Sequence, residues 1–107
     1  MAAYRAHRDP KRAPMHPGTL LREEVLPALG KDKTEIAKLL GVTRQTLHSI
    51  LSERQPVTAA MALRLGKLCG NGPALWLNLQ REVDLWQEGR RLAKQIKRIP
   101  TLQAAAV

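Results

Sequence analysis

Apolar residues recur along the chain at intervals of three and four, and Gly, Pro or polar clusters interrupt them, which predicts a succession of short helices. HPG, residues 16–18, opens the first helix. Pro17 suits a first helical position, where a missing N–H costs nothing. Leu20, Leu21, Val25 and Leu26 form its apolar stripe, and Pro27 ends or kinks it. The second helix begins at Asp32, which stands three residues before Glu35 in the spacing of a capping box. Ile36, Ala37 and Leu40 point inward, and Gly41 stops it. Thr43 is a good N-cap for the third helix, with Leu47, Ile50 and Leu51 inward and Pro56 forbidding continuation. Thr58 caps the fourth, whose stripe is Met61, Ala62, Leu65 and Leu68, and Gly70-Asn71-Gly72 closes it. Pro73 opens a long fifth segment in which Trp76, Leu79, Val83 and Trp86 should face the core. Leu92, Ile96 and Ile99 continue a weaker apolar line, with Gly89 as a potential break. No alternation of β-branched residues bounded by turn residues is present, so the fold class is all-α.

Composition agrees: Leu, Ala, Val and Ile supply most of the 44% apolar share, Phe is absent, and Leu and Ala lose little freedom in helices. A chain of 107 residues is long enough for one domain with one modest core. Its expected organisation is a flexible basic arm (1–15), a helical domain (16–88), and a basic helical extension with a frayed tail (89–107).

Charge narrows the function. Eighteen Lys and Arg against nine Asp and Glu leave +9, with a pI near 10.7, which attracts polyanions. The single Cys69 sits in an apolar helix face and is expected to be a small core residue, since it has no partner for an internal disulfide. No apolar run approaches the ~20 residues of a membrane span and no secretory h-region is evident, so a cytoplasmic protein with no membrane partner is expected. His7, His16, His48 and Cys69 are scattered without metal-ligand spacing, and the adjacent Glu23 and Glu24 diverge on a helix. No enzyme, metal or cofactor is therefore expected.

The second and third helices are joined by about three residues, so they must cross steeply and closely. Ala37 supplies the small contact and Gly41 the positive φ that the turn needs, while Val42, Leu47 and Ile50 fill the angle. Ile36, Ala37, Leu40, Gly41, Val42, Leu47 and Ile50 together meet the packing requirements of a helix-turn-helix. Its third helix leaves Arg44, Gln45, His48 and Ser49 facing outward, with Thr46 beside them at the N-terminal end. A helix fits the major groove of B-DNA, where Arg reads guanine, Gln reads adenine and Thr can touch a thymine methyl. The candidate DNA-binding set is Lys33, Thr43, Arg44, Gln45, Thr46, His48, Ser49 and Arg54. The same residue types would also suit an ordinary solvated face.

From HPGTLLREEVL through EIAKLLGVTRQTLHSIL and RQPVTAAMALRLGKL to ALWLNLQREVDLW, residues 16–86, the chain resembles the HigA/VapI group of antitoxins. These belong to the Cro- and λ-repressor-like helix-turn-helix proteins. HPG, PVT and WLNLQ are the group-level signatures. The resemblance implies a five-helix λ-repressor-like domain, here with an extended C-terminal helix. It also implies a homodimer on double-stranded operator DNA, repression of its own operon, and neutralisation of a small RelE-like ribonuclease toxin. The wider family usually has a phosphate-contacting Gln at the start of helix two, where this chain has Lys33, a cation without the directed amide geometry. Such toxins are commonly basic, so net charge alone favours little of that pairing.

Two other readings fit the same residues: an orphan regulator without a toxin, and a protein-binding module in which Trp76, Leu79 and Trp86 are interface anchors. Core packing is the competing role for both Trp residues. Trp86, Leu92 and Ile96 lack a home in a small monomer core, which makes the C-terminal half of helix five and the helix-four/five region the expected dimer surface.

Overall fold

In the computed structural model, which describes residues 12–102, the chain enters its first helix through His16. The imidazole Nδ1 accepts the Gly18 N–H at 2.9 Å, so a buried histidine acts as the N-cap. Helix α1 spans residues 17–29 as two α-helical pieces, Pro17–Leu20 and Leu26–Leu29, joined by a π-helical turn, Leu21–Val25. Pro27 therefore does not end the helix. Leu26 N–H donates to the Leu21 carbonyl five residues back, and this wider turn lies just before the proline, where its ring would otherwise crowd the preceding turn. Gly30 closes α1 in the left-handed conformation.

Helix α2 is Lys33–Leu40 and α3 is Arg44–Leu51. Asp32 Oδ1 caps α2 by accepting the Glu35 N–H at 2.8 Å, but the Glu35 carboxylate pairs with Lys31 at 3.5 Å instead of returning to the cap. Only half of the capping box forms. Between the helices, Gly41 takes φ 75, Val42 N–H donates to the Ala37 carbonyl and Gly41 N–H to that of Lys38. This is a Schellman stop, which satisfies carbonyls the helix leaves open. Helix α4 is Ala59–Cys69, capped by Thr58, and α5 runs Ala74–Arg91, straight through Gly89. The break falls at Leu92 (φ −101, ψ 10), after which α6, Ala93–Lys97, is a short continuation.

Trp76 is fully buried among Leu21, Ile36, Leu47, Ile50 and Leu65, with its indole N–H on Asn71 Oδ1 at 3.2 Å. It is a core residue, as is Leu79, whereas Trp86 lies outside the core cluster, half-buried beneath the Arg90 guanidinium at 4.8 Å. Cys69 is half-buried against the core, and burial pushes its thiol pKa up, away from reactivity. Among the described residues no helix is long and apolar enough to cross a membrane.

Each of the three signature motifs has a structural duty. At HPG, a Cβ on Gly18 would collide with the Ile50 carbonyl, so glycine lets the backbones of α1 and α3 touch. At PVT, the Val57 N–H is buried and donates to Gln80 Oε1 at 2.8 Å, before Thr58 caps α4. Gln80, the last residue of WLNLQ, is itself held by Asp84, which accepts its Nε2–H at 2.9 Å. A buried loop N–H is thus satisfied from α5.

The His16 cap makes stability depend on pH. Its Nδ1 accepts a hydrogen bond only as the neutral imidazole, and burial lowers its pKa below the ordinary 6.5; Glu53 and Asp84 oppose that shift and Arg22 adds to it. The unfolded chain then binds the proton first, so this contribution is complete above pH 6.5 and falls as pH drops below it. Urea midpoints measured from neutrality to about pH 5 should fall less steeply in His16→Asn, which keeps a capping oxygen without a titrating group. Parallel curves for the two proteins would contradict this role.

Candidate nucleic-acid interface

The third helix is positioned by its inner face. Leu47 and Ile50 are fully buried and Leu51 nearly so, which turns Arg44, Gln45 and His48 out to solvent and leaves Thr46 and Ser49 half-buried along the edge. The Thr43 hydroxyl accepts the Thr46 N–H at 3.0 Å and shares a hydrogen bond with the Thr46 hydroxyl at 2.9 Å. Thr43 thereby serves as the cap, and the Thr46 hydroxyl is tied to it.

Both helices of the motif are also gripped at their far ends. Arg64 of α4 donates to the Leu40 carbonyl at 2.7 Å, and Arg22 of α1 donates to the Leu51 carbonyl at 2.6 Å. A guanidinium at a helix C-terminus satisfies an open carbonyl and faces the negative end of the dipole. Arg22 also reaches Glu53 at 3.5 Å, and the Glu53 carboxylate accepts the Thr19 hydroxyl at 2.9 Å. Glu53 takes φ 64, the positive-φ non-glycine position among the described residues, and these contacts from α1 hold it there. The chain then folds back, with Arg54 N–H on the Ser49 carbonyl at 2.9 Å.

Lys33 and Arg44 occupy the first positions of α2 and α3, each exposed, and α3 has no acidic residue in its first turn. Cations there oppose the helix dipole, an arrangement unfavourable to the isolated protein and suited to an anion outside it. Arg54 is exposed in the loop that follows the C-terminal end of α3, whereas Arg44 and Gln45 open its N-terminal end. The eight candidate residues therefore divide into an exposed trio on α3, a cation opening α2, two half-buried edge residues, a cap and a loop arginine.

The grips by Arg22 and Arg64, the imidazole cap and the Gln80 clasp go beyond what the sequence pattern predicts. For Gln80 a signal exists: with Trp76, Leu79 and Val83 it lies on the inward face of α5, and a polar residue there must find a partner. His16 before a Pro at the first helical position is a comparable sign. The two arginines carry none, because their acceptors lie 24 and 29 residues away.

Fold and outer face together define a DNA-binding helix-turn-helix regulator. No family model matches the chain. It is 34% identical over 95 residues to antitoxin HigA-1 of Vibrio cholerae, covering 89% of this chain and 90% of that one. Among solved structures it is similar to antitoxin GraA in complex with its operator (TM-score 0.79, 37% identity, 92% of this chain and 100% of that one). It is similar also to Pseudomonas aeruginosa antitoxin HigA with the higBA promoter (TM-score 0.78, 34% identity, 84% and 99%). The chain belongs to the HigA family of helix-turn-helix antitoxins.

Proposed function

We propose that the chain is the antitoxin of a type II toxin–antitoxin module. It binds its operator sequence-specifically as a two-fold dimer, represses its own operon, and holds a RelE-like ribonuclease toxin inactive by direct binding. The observation that carries the DNA half of this reading is the pair of exposed cations, Lys33 and Arg44, opening adjacent helices, with Gln45 next to Arg44. Phosphates would take the helix ends and Lys33, and Arg44 and Gln45 would read base edges. One recognition helix reads too few base pairs to find a site in a genome, and a dimer with half-sites about 34 Å apart doubles the readout. Leu85, Leu92 and Ile96, together with Trp86, offer the apolar surface for that pairing. The relatives' names and complexes support both halves: an antitoxin, and antitoxins bound to an operator or promoter.

Fluorescence anisotropy on the DNA upstream of the gene, against a scrambled duplex, tests the reading. Lys33→Ala should weaken both duplexes alike and make log K against log salt shallower by roughly 0.9 for each phosphate no longer neutralised. Gln45→Ala should relax preference at one base pair per half-site, at ~1–3 kcal/mol. Equal affinity of the unaltered protein for both duplexes would sink the repressor reading.

A further inference from the structure

The segment after Glu88 plays no part in the core or in the helix-turn-helix. It holds Arg90, Arg91, Lys94, Lys97 and Arg98, and no Asp or Glu follows to the end of the chain. Arg91 is paired with Glu88 at 2.6 Å and Arg90 lies over Trp86 at 4.8 Å. Lys94, Lys97 and Arg98 are exposed and make no ion pair among the described residues. Lys94 and Lys97 lie on α6 and Arg98 caps its end; at about 100° per residue these three project from one side and Ile96 from the opposite one, with Leu92 and Ile99 flanking the helix. Ile96 is 50% and Ile99 67% exposed.

The two faces ask for different occupants. The apolar one suits the second copy already invoked for the dimer. The cationic one cannot, because two such segments brought together would concentrate like charge. Lys94, Lys97 and Arg98 fall within about 6 Å of helical rise at ~1.5 Å per residue, or one cation per ~2 Å. Duplex DNA presents one negative charge per ~1.7 Å, a density on the same scale.

We propose that Lys94, Lys97 and Arg98 form a second DNA-contacting element, which binds backbone phosphates independently of base sequence and is separate from the recognition helix. Its effect is on affinity and salt dependence, leaving the choice of operator to α3. The inference rests on the DNA-binding reading above and adds to it a residue set outside the helix-turn-helix.

The test uses the full chain carrying Lys94→Gln, Lys97→Gln and Arg98→Gln together, titrated by anisotropy over a salt series on the upstream duplex and on a scrambled one. The plot of log K against log salt should become shallower by about 2–3 per protomer, at roughly 0.9 per phosphate neutralised. Both duplexes should lose affinity in the same proportion, so their ratio is kept. The charge-preserving set Lys94→Arg, Lys97→Arg and Arg98→Lys should retain the original slope. An unchanged slope in the glutamine protein overturns the proposal, as does a loss confined to the upstream duplex. So does a slope unchanged on DNA while binding to phosphatidylserine-containing vesicles is abolished. If the unaltered protein failed to prefer the upstream duplex, the repressor reading would fall, while the slope comparison would still decide this one.

Discussion

Replacing Gly18 with alanine should destabilise the protein by about 3 kcal/mol, at the upper end of the cost of overpacking a core. The added methyl would have to occupy the place of the Ile50 carbonyl, with the His16 ring 3.1 Å away on another side. A flexible side chain could move aside; here the obstacle is the backbone of the recognition helix. The displaced atoms would disturb the His16 cap and the seating of α3 together. Gly89→Ala is the matched control, since nothing lies within 4 Å of its added Cβ and it sits inside α5. That change should stabilise by about 0.5–1 kcal/mol, the usual gain of alanine over glycine in a helix. Urea denaturation of both variants gives the comparison, and a Gly18→Ala protein as stable as the parent would mean that α1 and α3 are farther apart than described.

The second large effect separates the two activities. Arg44→Ala combined with Gln45→Ala should lower operator affinity by ~2–6 kcal/mol, taking ~1–3 for each base-reading side chain. That is a drop of about 30-fold to about 20,000-fold. Both side chains are exposed, and the folded state does not use either in its internal hydrogen bonds among the described residues, so the melting temperature should stay within a degree or two of the parent. Toxin inhibition should persist at one-to-one stoichiometry, because the chain would act by covering the toxin and not by modifying it. Glu24 on α1 is exposed and would suit a basic partner, Glu23 beside it being paired with Arg22 at 3.0 Å. Co-expression with the neighbouring gene product reads the outcome: growth arrest by that product alone, relieved equally by the parent and the double variant. Failure of the double variant to relieve it would place toxin binding on the recognition helix, and a harmless neighbour would leave an orphan regulator.

Helix placement is legible in the sequence because it depends on near neighbours along the chain. Asp32, Thr43 and Thr58 each cap the helix expected of them, Gly41 takes the positive φ its turn requires, and the inward faces of α2 and α3 are buried as the spacing demands. Expectation and structure part where a second element intervenes. On local grounds Pro27 ends or kinks its helix, but a π-helical turn just ahead of it lets α1 continue to Leu29. Gly89 marks a potential break in helix five, which instead comes three residues later at Leu92. At the candidate interface, exposure of Arg44, Gln45 and His48 follows from periodicity alone. The arginine grips on Leu40 and Leu51 do not, because they join residues distant in sequence whose approach only the assembled fold creates.

The Gln80 clasp, the close approach at Gly18 and the two arginine grips place the fixed requirements of the fold on surfaces other than the outer side of α3. Positions 44, 45 and 48 are consequently free to vary without a folding penalty beyond ordinary helix propensity. With Arg44, Gln45 and His48 reading the operator as proposed, three substitutions would re-address the scaffold to a new DNA site without touching the rest of its surface. Duplicated copies in one genome could diverge in that way and cease to compete for each other's promoters, with every signature motif intact.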